Sequence, residues 1–272
     1  ATVPTSVNVR SYATIVHEKA VLRRLIRINE EIANNCYSGK DSLEVILADT
    51  EKQIFNLLES RASGDFVPIR QVALNVLDKI EQATRSKSTV TGLPTGFIDL
   101  DYRMSGLQPS DLIIIAARPA MGKTALALNL AMRAAISEGA PVGIFSLEMS
   151  EHQLVQRMIS LWGKIPQEQL STGRLSKAEG ARFFETADLL RTAPLFINET
   201  PAISTLELRS QARRLKAEHG LGLIVVDYLQ LMRSSRRTDS RELEISDISR
   251  SLKAIAKELD VPVVALSQLN RK

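Results

Sequence analysis

Residues Ala117, Arg118, Pro119, Ala120, Met121, Gly122, Lys123 and Thr124 lie between an apolar run, 112–116, and a helical run that opens at Ala125. This order predicts a strand, a tight loop and a helix start. At such a junction successive backbone N–H groups converge beside a positive helix N-terminus, a setting that suits the phosphates of a nucleotide. Lys123 would reach the β and γ phosphates, and the Thr124 hydroxyl would ligate Mg²⁺. The spacing G-x-x-x-x-G-K-[ST] is met except at its first position, where Ala117 stands for Gly. The first turn must then use a conformation open to a residue with a Cβ, while Gly122 keeps the position next to the phosphates clear. The alternative is a chance Gly-Lys-Thr in a surface turn, against which the flanking strand and helix weigh.

Residues 223–227, Leu-Ile-Val-Val-Asp, deliver one carboxylate at the end of an apolar strand. Asp227 is thereby a candidate to hold Mg²⁺ through water. Hydrolysis also needs a group that orients or deprotonates the attacking water, and Glu148, directly after the apolar run 142–146, is the candidate base. Its other readings are a helix-start acid ahead of Ser150 or a surface charge. Gln268 follows the run 263–267 and could hydrogen-bond the γ-phosphate or the water; otherwise it is a polar strand end. Arg157, on the helix after Glu148, reaches the nucleotide or is an ordinary exposed helix arginine. The polar stretch 234–241 carries Arg236, Arg237 and Arg241, which either face a nucleic-acid backbone or form a solvated charge run, since no aromatic residue is interleaved for stacking. Trp162 and the seven Phe read as core.

The elements that must position these side chains follow from periodicity. Five short apolar runs, 112–116, 142–146, 195–198, 223–227 and 261–267, read as strands buried on both faces. Helical stretches fill the gaps at 123–137, 151–162 behind a Ser150 cap, 176–191, 205–219 closed by Gly220, and 243–259. The alternation predicts an α/β domain with a parallel sheet, whose ligands bind at the carboxyl ends of the strands. Lys123, Glu148, Asp227 and Gln268 fall there.

Ahead of this domain, Ile15, Leu22, Leu25, Ile26 and Ile32 recur at helical spacing over 11–37. Ser38-Gly39-Lys40 breaks the pattern, and a second stripe runs from Leu43 to Leu58 behind a capping-box signal, Asp41 with Glu44. Residues 11–60 thus form an N-terminal α-helical hairpin. Two helices enclose little core, so the hairpin packs on another subunit or another piece. A third stripe, Ile69 to Ile80 behind Pro68, predicts a linker helix that ends before the polar run 84–89 and docks on a neighbouring copy or folds back on its own domain. The expected division is 1–62, 63–89 and 90–272.

Composition bounds the rest. The 272 residues, 44% apolar with net charge +4, exclude disordered and fibrous classes, and no run approaches the ~18 consecutive apolar residues of a membrane span. The lone cysteine, Cys36, allows no intrachain disulfide or cysteine zinc cluster, fits a reducing, cytoplasmic setting, and reads as a small packed residue.

Taken together, Thr91-Gly-Leu-Pro-Thr-Gly-Phe97, the loop 117–124, Phe145-Ser-Leu-Glu-Met-Ser150, Val226-Asp-Tyr-Leu-Gln-Leu231 and Ser267-Gln-Leu-Asn-Arg271 resemble the DnaB-type bacterial replicative DNA helicases in order and spacing. The start Val3-Pro-Thr-Ser-Val-Asn-Val-Arg10 resembles that family's second amino-terminal helical part. The resemblance implies a RecA-like P-loop NTPase domain, a homohexameric ring, ATP and Mg²⁺ between neighbours, single-stranded and forked DNA as substrates, and 5′–3′ translocation at the replication fork in the nucleoid. Primase and a helicase loader would be partners, and no membrane. By the same resemblance Lys123 and Thr124 are the phosphate and Mg²⁺ residues, Glu148 the catalytic base, Asp227 the metal acid and Gln268 the γ-phosphate sensor, with 117–125 and Arg157 around the nucleotide. The family's globular head is missing before Ala1, and its DNA-contacting loop and arginine finger lie past Lys272, so the chain is expected to bind nucleotide without a complete hydrolytic site. Two other classes fit the loop: a nucleotide-switched loader, against which Glu148 speaks, and a RecA-like recombination ATPase, against which the two-helix collar speaks.

Overall fold

The computed structural model describes residues 9–39, 43, 45–46, 49–50, 53, 68–86, 90–233 and 240–269. The chain divides into two compact units, Ala1–Asp78 and Lys79–Lys272.

In the first unit α1 spans Val9–Ser38, starting two residues before the expected position. Ile15, Leu22, Leu25 and Ile26 are exposed, and among the residues of α1 whose burial is described Ile28 alone is buried. Cys36 is exposed rather than packed, because it lies in the last turns of a helix that offers almost no covered face. Residues 43, 45, 46, 49, 50 and 53 are helical, but most of the second stripe, and with it the hairpin turn, lies outside the described residues. Helix α2, Ile69–Ser86, straddles the boundary between the units. It runs into the polar stretch at 84, since Thr, Arg and Ser without Gly or Pro lower helix propensity but do not stop a helix.

The second unit is built on one sheet of five parallel strands in the order β1-β5-β4-β2-β3. These are β1 Leu112–Ala117, β2 Val142–Ser146, β3 Leu195–Asn198, β4 Leu223–Asp227 and β5 Val263–Gln268. All five expected strands are present. β5 starts two residues late because Pro262 has no N–H to give a ladder, and Val261 instead donates to Ala256 at the end of the preceding helix.

Ahead of the sheet lies α3 Ile98–Met104, and between the strands are α4 Lys123–Met132, α5 Glu151–Gly163, α6 Gln167–Thr172, α7 Lys177–Thr192, α8 Thr205–His219 and α9 Arg241–Leu259. The single expected helix 123–137 is α4 followed by a π-helical turn, Arg133–Ser137. α3 and α6 are too short for periodicity to reveal. Successive residues of β4 face opposite ways: Leu223 and Val225 join Leu128, Met132, Leu154 and Met158 from α4 and α5, while Ile224 and Val226 join Leu208, Ile248, Leu252 and Ile255 from α8 and α9. Apolar side chains on both faces of a central strand are what the uninterrupted run Leu-Ile-Val-Val required. Trp162 packs on the first of these cores and Phe145 lies in the second, as expected. Phe97 and Phe184 do not; both are exposed, Phe184 to 72%, because it faces outward on α7 with its neighbour Phe183 meeting it edge-on at 5.4 Å. Phe55 and Phe66 lie outside the described residues.

Candidate active site

Ala117 is the last residue of β1 and needs none of glycine's freedom; the positive φ values of the loop fall at Ala120 (62°) and Gly122 (84°). A Cβ built on Gly122 meets nothing within 4 Å, so within the chain its requirement is conformational. Gly122 then opens α4 without a side-chain cap, whereas Ser150, Ser176 and Ser204 close α5, α7 and α8 with capping boxes. An uncapped N-terminus leaves its donors for an anion.

The side chains at this edge meet one another. Thr124 Oγ1 donates to Asp227 Oδ2 at 2.8 Å, and the ammonium of Lys123 lies 4.6 Å from the ring centroid of Tyr228. Asp227 is only 3% exposed, and its Oδ1 is buried without a hydrogen-bond partner, as is Nε of Arg157. Burial pushes the Asp227 carboxyl above the usual range; the Thr124 hydroxyl and Lys123 pull it back, Glu148 pushes it up and Arg157 pulls it down. Lys123, Glu148, Asp227 and Arg157 therefore share one electrostatic neighbourhood. Tyr228, next in the chain, is likewise pushed up by burial and by Glu148 and Asp227.

A buried carboxylate with one oxygen unsatisfied is costly unless a cation meets it. The hydroxyl of Thr124 and the carboxylate of Asp227 are hard oxygen donors of the kind that, with phosphate oxygens, hold Mg²⁺. Among the described residues no group of three or more His, Cys, Asp or Glu could hold a metal ion.

The same imbalance predicts a stability effect. With the folded value raised, the contribution of Asp227 is full below the unfolded value and lost as pH rises through the raised one. Asp227→Asn is therefore expected to raise the Tm of the nucleotide-free protein at neutral pH, by roughly 2–4 °C for each 1 kcal/mol relieved. Lowering the pH through the raised carboxyl value should shrink that advantage; thermal unfolding of both forms across pH checks it, and a Tm lowered by the substitution at neutral pH would contradict the reading.

Glu148 stands exposed on a loop held from both sides. The Ser146 hydroxyl donates to the Met149 carbonyl (2.7 Å) and accepts from the Met149 N–H (3.2 Å), and Leu147 N–H donates to the Asp227 carbonyl (2.8 Å). Capping of α5 falls to Ser150 and Gln153, and Glu199 accepts from the Glu151 N–H at 2.7 Å. Gln268 ends β5 beside Ala117. Arg241 is the first residue of α9 and is engaged with Glu244 and the Gln230 carbonyl rather than standing free in a loop, while Arg236 and Arg237 lie outside the described residues.

Sequence reasoning did not single out Tyr228, Gln230, Ser146 or Asp101. Asp101 is buried and its carboxylate accepts from Thr95 N–H (2.9 Å), Thr95 hydroxyl (2.8 Å) and Gly96 N–H (3.1 Å), so it fastens the Thr-Gly segment to α3. Tyr228 could have been noticed as an aromatic directly after the strand-end acid; Ser146 and Asp101 bond residues only a few positions away, and Gln230 alone carries no signal before the fold brings Ser267 and Gln268 close.

Residues 92–272 match the family model of the DnaB-like helicase C terminal domain. The chain belongs to that family. It is 47% identical over 270 residues to the replicative DNA helicase DnaB of Geobacillus stearothermophilus, and 46% identical over 270 residues to the replicative DNA helicase DnaC of Bacillus subtilis (strain 168). Each alignment takes in 99% of this chain and 60% of the relative, so the chain spans about three fifths of the length of these DnaB-like helicases. A solved structure of a DnaB-like replicative helicase and its interactions with primase superposes with a TM-score of 0.78 at 28% identity, over 99% of this chain and 62% of that one. The parallel five-stranded sheet with its covering helices is therefore the fold of a DnaB-like, RecA-fold ATPase domain.

Proposed function

We propose that the protein acts as a replicative DNA helicase in which ATP hydrolysis drives 5′–3′ movement along single-stranded DNA and opens duplex DNA at a fork. The observation that carries this reading is the Thr124–Asp227 hydrogen bond, with an unsatisfied carboxylate oxygen and with Lys123, Glu148 and Arg157 around it. The backbone of 117–125 and the ammonium of Lys123 bind and orient the triphosphate. Thr124 and Asp227 hold Mg²⁺, which when bound neutralises charge on the phosphate oxygens. Glu148 orients the attacking water and takes its proton. Arg157 and Gln268 contact the phosphates as reaction proceeds, one from α5 and one from the end of β5.

The division 1–62, 63–89 and 90–272 and assembly as a homohexamer belong to the same reading. α2 exposes Ile69, Val72, Leu74, Val76, Leu77 and Ile80, and the ATPase unit carries a groove of about 570 Å³ lined by Val155, Ile159, Leu170, Phe183, Leu195 and Ile197. The apolar stripe of one copy's α2 fits the groove of the next. Leu77→Asp, at a site already 61% exposed, is expected to leave the fold unchanged and to weaken assembly by about tenfold or more. Native mass measurement with Mg²⁺ and a non-hydrolysable nucleotide reads this directly, and an undiminished six-subunit species would contradict it. Primase, named with the DnaB-like relative, and a loader are the expected partners, and the replication fork in the bacterial nucleoid the expected place. No described helix is long and apolar enough to cross a membrane.

Strand displacement on a forked substrate by the native-length protein tests the function. ATP-dependent unwinding is expected; DNA-stimulated hydrolysis with no displacement would favour a nucleotide-switched loader instead.

A further inference from the structure

β4 and β5 pair through Ile224 with Val263, Val225 with Val264 and Val226 with Ala265, and there their ladder stops. β5 continues to Gln268, while the chain after Asp227 turns into a short 3₁₀ helix, Leu229–Leu231. On the β1 side the bond at this level runs from Leu269 N–H to the Ala117 carbonyl at 3.0 Å. The N–H and C=O of Gln268 face the other way, into the place β4 has left.

Gln230 fills that place with its side-chain amide. Its Oε1 accepts from the Gln268 N–H at 3.2 Å, its Nε2 donates to the Gln268 carbonyl at 3.1 Å, and Nε2 also donates to the Ser267 hydroxyl at 2.9 Å. One primary amide thus does for Gln268 what a neighbouring peptide does inside a sheet, and a peptide group left without that partner would be costly. Gln230 is itself held, since its carbonyl accepts from Arg241, which is paired with Glu244 at the start of α9.

We propose that Gln230 is a positioning residue for hydrolysis, fixing the backbone of Gln268 and so the direction in which the Gln268 side chain leaves the sheet edge. This rests on the reading of Gln268 as the γ-phosphate contact. Gln230 needs no contact with nucleotide; its effect passes through Gln268, whose N–H and carbonyl are met by the two separate ends of one amide, Oε1 and Nε2.

The test measures kcat and KM for ATP, with Tm alongside, in the native-length protein carrying Gln268→Ala, Gln230→Leu and the two combined. Gln268→Ala is expected to lower kcat on the order of a hundredfold, the usual cost of losing one donor to developing charge. Gln230→Leu is expected to lower kcat about tenfold with KM within about twofold, and the double variant to be no slower than Gln268→Ala, because a misplaced Gln268 and an absent one lose the same contact. Losses that multiply in the double variant would overturn the proposal, as would an unchanged kcat in Gln230→Leu. Full turnover in Gln268→Ala would instead remove the γ-phosphate reading and this proposal with it. Should Gln230→Leu lower Tm enough to unfold the protein, Gln230→Glu, which keeps the acceptor, and Ser267→Ala carry the test: a kcat reduced about threefold or more in both supports the role, and an unchanged kcat in either overturns it.

Discussion

Glu148→Gln is expected to lower kcat for ATP hydrolysis by about 10²–10⁴-fold while nucleotide affinity stays within a few-fold. The amide has the shape of the carboxylate but cannot take a proton from water. It should also leave the loop undisturbed, because the neighbouring bonds are made by Ser146 to Met149, by Leu147 to Asp227 and by Ser150 and Glu199 to the start of α5. Glu148 is exposed and close enough to Asp227 to influence its carboxyl, so an incoming water can reach it. Steady-state hydrolysis with single-stranded DNA, together with titration of a fluorescent nucleotide, separates the two effects. A turnover within tenfold of the parent would remove Glu148 from the chemistry and leave it a surface charge.

Lys123→Ala is expected to weaken nucleotide binding by about a hundredfold or more, the scale on which removing one partner of a desolvated charge pair is felt. Lys123 has two neighbours in the structure: burial raises the Asp227 carboxyl and Lys123 offsets part of that rise, and its ammonium rests on the face of Tyr228. Alanine removes both interactions, and the Asp227 carboxyl should then rise further. Lys123→Arg is not a mild change at this position, since a planar fork cannot take the place of a point charge on a flexible stem. Nucleotide titration of both variants reads the outcome, and parental affinity in Lys123→Ala would mean that the phosphates bind elsewhere.

Periodicity predicted five strands in their places because strands of a parallel sheet are short unbroken apolar runs, visible in one dimension. Burial on both faces holds throughout β2 and β4, whereas the outer strands β1 and β3 are only partly covered and Ile114 of β1 is 49% exposed, since each has a neighbouring strand on one side alone among the described residues. The phosphate loop was equally legible, as its conformation depends on local residues: Gly122 at positive φ, then a helix start. Boundaries were less so. α2 overran its expected end because stopping a helix takes Gly or Pro, which the stretch 81–86 lacks, and the helix from Lys123 changed to a π turn without any break in pattern. Packing of single residues was least legible. Cys36, Phe97 and Phe184 were expected inside and are exposed, because hydrophobic type sets a preference while the covering partner decides burial.

The order of elements, the residue types at the strand ends and the family likeness were all decided by the sequence itself, since each depends on neighbours a few positions away. Only the tertiary structure decided which of those ends lie side by side. Thr124 reaches Asp227 across 103 positions of chain and Gln230 reaches Ser267 across 37, bonds that exist because β1, β5 and β4 are adjacent in the sheet. Strand order is a matter of how two apolar faces are buried at once, and no local pattern encodes it; the unsatisfied oxygen of Asp227 and the amide that closes the end of β5 are consequences of that order.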